Sequence, residues 1–379
     1  MKTVCESSSC VGCKACLNAC TQNAISYNDL IDRTECVIDE EQCINCGKCY
    51  SVCQNYSITE KKTPICYYQG WAEDRIRSVS SSGGAATAIM EGFIKNGGYV
   101  CSCAFEEGEF IFKGTNNISE LKQFSGSKYV KSDLQNAYDI IGDLIKSKER
   151  ILFIGLPCQS AAILNYFNRN ENLYTVDLIC HGTPSPKLLI NYLKEFGLDP
   201  NKIDDVKFRN KDFFETNNEN EEILPGRVKD SYLSMFMDAV NYTENCYFCK
   251  YASFDRVSDI TLGDAWGQLS EDRKEGVSLI LCQTQKGEKL LEMTKLMKYD
   301  VDIKKAVEFN HQLRRPSMKH PRRDYFLRAI KNGHSFRYAA FVANPKRSLK
   351  ESIKFGLIKL HILPDKKSGE YKLRIKKHK

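Results

Sequence analysis

The chain has 379 residues, enough for two or three domains and a sizeable core, and 18 of them are cysteines. Its formal net charge of +7 is a property of the end: residues 341–379 hold twelve Lys/Arg against three Asp/Glu, and nucleic-acid binding has no support beyond that charge. No apolar run is long enough to span a bilayer, and no apolar h-region precedes Cys5, so we expect neither a membrane span nor a signal peptide. In a large, leaderless chain, clustered cysteines point to metal or redox chemistry in a reducing cytoplasm rather than to disulfides.

The first 60 residues contain an internal repeat. "CVGCKACLNACTQNAIS" (10–26) and "CINCGKCYSVCQNYSIT" (43–59) align at an offset of 33 residues, each with the spacing C-x2-C-x2-C-x3-C. Three thiolates two residues apart wrap one face of a cubane, and the fourth, at the start of a helical turn that points away, reaches the other cluster. Cys10, Cys13, Cys16 and Cys53 are therefore assigned to one [4Fe–4S] cluster, and Cys43, Cys46, Cys49 and Cys20 to the other. A zinc site usually takes two C-x2-C pairs and would waste half of these thiols. The Pro that often follows the fourth Cys is replaced by Thr21 and Gln54, which removes no ligand.

Residues 61–77 read as a linker. In "SVSSSGGAATAIMEGFIKNGG", Ser80–Ser82 resemble an N-cap, Gly83 and Gly84 leave backbone N–H groups bare, and Gly97-Gly98 ends a helix. Such a start can cradle an anion or phosphate, though plain capping or close packing explains a Gly pair as well. "FSGSKYVKSDL" places Gly126, Ser127, Lys128 and Tyr129 in a polar loop. Lys128 there suits a phosphate or a flavin ring, or is simply a solvated lysine. A helix ("SDLQNAYDIIGDLIKSKE"), the strand "RILFIGL", a helix from Pro157, the strand "LYTVDLIC" and the helix "SPKLLINYLKEFG" follow. This β-α-β run predicts neighbouring parallel strands, with Cys158, Cys180 and His181 at their carboxyl ends, the edge where open α/β sheets bind ligands.

Cys158 begins a helix, where its thiol pKa would fall, so it suits a nucleophile as well as a metal ligand. Cys246 and Cys249 in "NCYFCK" form a C-x2-C pair that lacks half of a four-thiolate site. With Cys158 and Cys180 they would hold a third [4Fe–4S] cluster. A redox thiol pair or independent core thiols explain the spacing equally well. Cys5, Cys36, Cys66, Cys101, Cys103 and Cys282 lack ligand spacing and read as incidental, with Cys101 and Cys103 facing one side of a strand. The tail from 341 mixes Lys with "FGLIKLHIL". It reads as a solvated basic terminus, or as an amphipathic element on an anionic membrane or an acidic partner such as a ferredoxin.

Taken in order, "SSSGGAATAI", "GSKYVKSDL", "GLPCQSAAIL", "DLICHGTPSP", "CYFCKYASFDRVSDITLGDAWG" and "RPSMKHPRRDYF" resemble the beta-subunit family of coenzyme F-420 hydrogenases and dehydrogenases, over roughly residues 3–330. The resemblance implies FAD bound in an α/β body, lined by the Gly83-Gly84-Thr87 turn and the Gly126–Tyr129 loop. It also implies that Cys158, Cys180, Cys246 and Cys249 ligate a body cluster, with Asp259 and Asp264 near the cofactor. The expected fold is α+β. A bacterial-type 2[4Fe–4S] ferredoxin domain (1–60) and the linker precede an α/β flavin-binding body (78–340, internal boundary near 165–175) with a partly parallel sheet, and the basic tail follows.

The expected function is an iron–sulfur flavoprotein oxidoreductase. It would pass electrons between a ferredoxin or other redox protein and FAD, and from FAD to an organic acceptor, an F-420-type deazaflavin or another small molecule. His181, titrating near neutral pH, is a candidate proton donor, with support of the neighbouring ligands or N-capping as its plainer role. The rival reading is a non-catalytic electron-transfer subunit that feeds a partner enzyme.

Overall fold

A computed structural model describes residues 2–203, 206–210, 213–217, 230–267 and 275–363. The N-terminal unit is a three-stranded antiparallel sheet, β1 (Lys2–Thr3), β2 (Ile25–Asp29) and β3 (Thr34–Ile38), in the order β1-β3-β2. Two five-residue helices, Ala15–Ala19 and Lys48–Val52, carry the repeat. Each is entered through a left-handed residue at the equivalent position, Lys14 (φ 60°) and Gly47 (φ 75°). The repeat therefore holds in the backbone as well as in the cysteines. The fourth cysteine of each set, Cys20 or Cys53, lies at the end of its helix and not at the start of a turn. There its extended backbone stops the helix and turns the thiol toward the other repeat.

The body is built on an eight-stranded mixed sheet. Its strands are β4 (Cys66–Ala72), β5 (Tyr99–Glu106), β6 (Glu109–Thr115), β7 (Ile151–Gly155) and β8 (Leu173–Leu178). A separate hairpin, β9 (Lys207–Asn210) and β10 (Phe213–Asn217), precedes β11 (Ile260–Asp264), β12 (Ser278–Cys282) and β13 (Leu296–Tyr299). The order is β13-β4-β12-β11-β8-β7-β5-β6, in which β5, β7, β8 and β11 run parallel and the outer pairs are antiparallel. The parallel strands are covered on both faces, as such strands must be. Leu152 and Ile154 of β7 pack under the helices Ala85–Lys95 and Gln285–Glu292, while Ile151 and Phe153 pack under Gln135–Lys146 and Pro157–Tyr166.

Two boundaries differ from the sequence reading. Residues 61–77 do not merely link: β4 lies within them, inserted between β12 and β13. Its "CYYQGWA" lacks a clean apolar alternation because Gly70 is required there. A Cβ at Gly70 would lie 2.4 Å from the Met297 carbonyl oxygen. The boundary placed near 165–175 falls between β7 and β8, which are sheet neighbours.

A helical lobe (Pro186–Lys194, Ser231–Met237, Arg323–Lys331 and Phe336–Ala343) closes the body around Tyr192, Tyr232, Phe326 and Phe336. The helix Pro345–Lys359 leaves it with Leu349 and Ile353 exposed, and the tail beyond 363 lies outside the described residues. Among the described residues, no helix is long and apolar enough to cross a membrane.

Candidate functional site: three thiol sets and a cleft

The eight cysteines of the repeat separate into two groups in space. Cys10, Cys13, Cys16 and Cys53 line one small cavity of about 20 Å3, and Cys20, Cys43, Cys46 and Cys49 line another of about 70 Å3. This is the crossed pattern expected when each fourth cysteine serves the opposite repeat. An all-sulfur donor set at each cavity fits an iron–sulfur core. Burial pushes Cys13 up to about 12, so without a cationic core to bind, that thiol keeps its proton. Cys5 and Cys36, read from sequence as incidental, also line the first cavity, and Asn55 Nδ2 donates to Cys5 Sγ at 3.3 Å. Nothing in their spacing signals this, because they reach the cavity from the turn after β1 and from β3 rather than from the motif.

The body brings Cys158, Cys180, Cys246 and Cys249 together. Pro157 opens the helix after β7 and aims Cys158, while Cys180 follows β8 on the same edge. A 3-10 turn, Glu244–Phe248, holds Cys246. The helix N-terminus does not lower the Cys158 pKa. Burial raises it well above the usual thiol value, and Cys249, Cys180 and Cys246 add to the rise. Burial, with Cys246 and Cys249, pushes Cys180 up to about 12. Cys158 is thus a poor free nucleophile. Arg256, itself buried, braces them from below: Nη2 and Nε donate to Asp177 Oδ1 at 2.8 and 3.2 Å and Nη1 to the Tyr251 carbonyl at 2.7 Å.

The N-terminal unit is packed onto this region. Gln54, 1% exposed, follows Cys53 and donates from Nε2 to the Cys158 carbonyl at 2.8 Å. Its Oε1 accepts from Tyr251 Oη at 2.7 Å, and its carbonyl accepts from Lys250 Nζ. Tyr138 Oη donates to the Cys13 carbonyl at 2.9 Å. Lys131, 7% exposed, extends Nζ to the Val11 carbonyl at 3.2 Å and to Asn245 Oδ1 at 3.5 Å.

Beside these thiols, at the carboxyl ends of β7, β8 and β11, opens a cleft of about 570 Å3. Gly84, Thr87, Gly126, Ser127, Lys128, Tyr129, Cys180 and His181, all chosen from the sequence, line it. Gly83 does not: a Cβ there would meet the Gly70 carbonyl oxygen at 2.6 Å and the Ser278 nitrogen at 2.7 Å, so it serves close packing. Gly126, at φ +86°, faces open space. The Ser127 amide donates to Ser81 Oγ at 3.0 Å, tying the two loops together. Lys128 is no free solvated lysine, since Nζ donates to the carbonyls of Phe124 and Ser125 at 2.9 Å and of Gly126 at 3.2 Å. A concave site with left-handed glycine, small hydroxyl residues and a helix N-terminus fits a dinucleotide such as FAD.

His181 differs from expectation. Burial, then His311, lowers its pKa to about 4, so it is neutral at pH 7. Gln312 Nε2 lies 2.7 Å from His181 Nδ1 and 2.9 Å from His311 Nε2. An amide nitrogen only donates, which leaves His181 with its proton on Nε2. Sequence reasoning also missed Arg209 and Trp266. Arg209 makes a bidentate pair with Asp264 (2.7 and 3.1 Å) and lies over Trp266 on the cleft wall. Asp259 is structural, accepting from the Thr175 amide at 2.9 Å and from Thr284 Oγ1 at 2.7 Å.

A ferredoxin-type domain packed against a large mixed sheet defines an iron–sulfur, electron-transfer protein of the oxidoreductase kind. Residues 9–55 match the 4Fe-4S dicluster domain, and residues 148–305 match the C terminus of the coenzyme F420 hydrogenase/dehydrogenase beta subunit. The chain thus carries a dicluster domain at its N-terminus and, in its body, a region similar to the C terminus of that beta subunit. The second match spans Cys158, Cys180, His181, Cys246 and Cys249. Among solved structures, a chain of the xenon-derivatised F420-reducing [NiFe] hydrogenase complex from Methanosarcina barkeri is similar. It is 16% identical over 66% of this chain and 91% of that one, with a TM-score of 0.48. No curated protein matches the chain.

Proposed function

We propose that this chain is an iron–sulfur flavoprotein oxidoreductase, taking electrons through three [4Fe–4S] clusters to FAD in the cleft and on to an organic acceptor. The observation that carries the reading is the sheet edge. It gathers Cys158, Cys180, Cys246 and Cys249 beside a cleft lined by Gly84, Thr87 and Gly126–Tyr129. Iron–sulfur clusters supply single-electron transfer, and a flavin supplies the conversion between single electrons and hydride.

The chain's own residues then divide the work. Gly84, Thr87 and the Gly126–Ser127 backbone hold the dinucleotide, with Lys128 stiffening their loop. Tyr129, stacked on Phe236 with centroids 4.5 Å apart, forms an aromatic wall. His181, fixed by Gln312, offers a neutral Nε2–H donor at the cleft rather than an imidazolium acid. The acceptor is a deazaflavin of the F-420 type or another small molecule. A ferredoxin-like redox partner meets the chain at the outer cluster, where Cys46 and Ile44 are exposed. The basic tail, with Leu349 and Ile353 exposed among lysines, suits an acidic partner or an anionic lipid surface.

Anaerobic purification with iron and flavin quantification tests the reading. About twelve irons and one FAD per chain are expected. Eight irons would remove the body cluster, and absence of flavin would remove the flavoprotein. Flavin bleached by dithionite should reoxidise with a small acceptor. Reoxidation that requires an added partner protein would make the chain an electron-transfer subunit instead.

A further inference from the structure

Lys131 is the only buried lysine among the described residues, and it sits at the junction of two thiol sets. Its two hydrogen-bond partners are neutral oxygens, one beside Cys10 (the Val11 carbonyl, 3.2 Å) and one beside Cys246 (Asn245 Oδ1, 3.5 Å). None of its described contacts is with a carboxylate. A buried ammonium without an anionic partner is costly to desolvate, and two amide-type oxygens solvate it without cancelling its charge. Both oxygens belong to residues next to cysteines of the two sets, Val11 after Cys10 and Asn245 before Cys246, so the ammonium lies against the backbone that carries both.

A [4Fe–4S] core bound by four thiolates is anionic in both oxidation states, and it carries one more negative unit after reduction. A fixed cation beside it therefore favours the reduced form, and in a low-dielectric interior that preference is strong. The Lys131 side chain is 7% exposed and tied at Nζ to both units, which fixes its charge at their junction.

We propose that Lys131 is the buried counter-cation of this junction, raising the reduction potentials of the Cys10/Cys13/Cys16/Cys53 cluster and of the Cys158/Cys180/Cys246/Cys249 cluster so that electrons arriving at the outer cluster are drawn inward. On its body side this rests on the three-cluster reading, and on its N-terminal side only on the dicluster domain. Lys131 acts through the clusters as a positioning charge and touches no substrate.

The test is an EPR-monitored redox titration of the anaerobically purified, fully loaded chain and its variants, with Cys46→Ser identifying the outer cluster's signal. Lys131→Met should shift the midpoint potentials of the inner clusters downward and leave the outer cluster where it is. Lys131→Arg, which keeps the charge, should stay near wild type. Asn245→Asp gives Lys131 a carboxylate partner without removing it, and should shift the inner potentials in the same direction. This second variant decides the question if Lys131→Met does not fold. Unchanged potentials in both variants would overturn the proposal, as would Lys131→Arg shifting as far as Lys131→Met, because that would make the effect one of packing. Iron content separates the two readings. With about eight irons in the wild type the body cluster is absent, and a shift confined to the Cys10/Cys13/Cys16/Cys53 cluster then supports the proposal on that side.

Discussion

Cys158 lies at the first turn of the helix Pro157–Tyr166, and its chemistry is set by what surrounds it rather than by that helix. Partly buried near three other thiols, it is held protonated until a metal core displaces the proton. Cys158→Ser is therefore expected to lose about four irons per chain by colorimetric iron assay, with the N-terminal clusters retained. Full iron with reduced turnover would instead return Cys158 to the role of nucleophile. Residues of this kind were legible in the sequence when the signal was local: the C-x2-C-x2-C-x3-C spacing marks eight thiols by covalent geometry alone. Arg209 and Lys131 were not, because each is defined by partners far along the chain, Asp264 for the first and Val11 with Asn245 for the second. The lowered His181 pKa was not legible either, because burial, which moves a histidine most, leaves no mark on its neighbours in sequence.

At the scale of elements, the helix Ala85–Lys95 carries Gly84 and Thr87 to the cleft and is anchored at its far side by Glu91. That carboxylate is buried and pairs with Arg75 (2.7 Å) and Lys95. Burial by itself would raise its pKa, but the two cations more than offset this and hold it below the ordinary carboxylate range. A lowered folded-state pKa contributes stability that is present above the unfolded value and is lost as pH falls through the folded one. Glu91→Gln should cost about 1–2 kcal/mol at pH 7, discounted because both cations are half exposed. The gap to wild type in thermal melts should begin to narrow as pH falls below the ordinary carboxylate value and close only once pH passes the lowered folded-state value. The helix itself, like β7 and β8, followed from periodicity. β4 did not, because its place depends on strands more than 200 residues later.

For the whole molecule, Gln54 is one of the residues that join the N-terminal unit to the body. The residue stands where ferredoxin-type motifs often carry Pro, and a Pro could make neither side-chain bond. Gln54→Leu leaves the Cys158 carbonyl and the Tyr251 hydroxyl without their partner and should cost about 1–3 kcal/mol. Iron content should remain full and, on the flavoprotein reading proposed above, flavin reduction by the dithionite-reduced N-terminal clusters should slow in stopped-flow absorbance. An unchanged rate would show that the contact is mechanical only.

The interleaved order of the body sheet also bears on how the chain is made. β4 is synthesised directly after the cluster unit, yet the strands that flank it end at Cys282 and Tyr299. At roughly 5–20 residues per second, the ribosome needs on the order of ten to forty-five seconds to supply them. The helices on which the cluster unit packs, Gln135–Lys146 and Pro157–Tyr166, are made well before those strands. The cluster unit can thus dock on these helices while the far half of the sheet is still unmade.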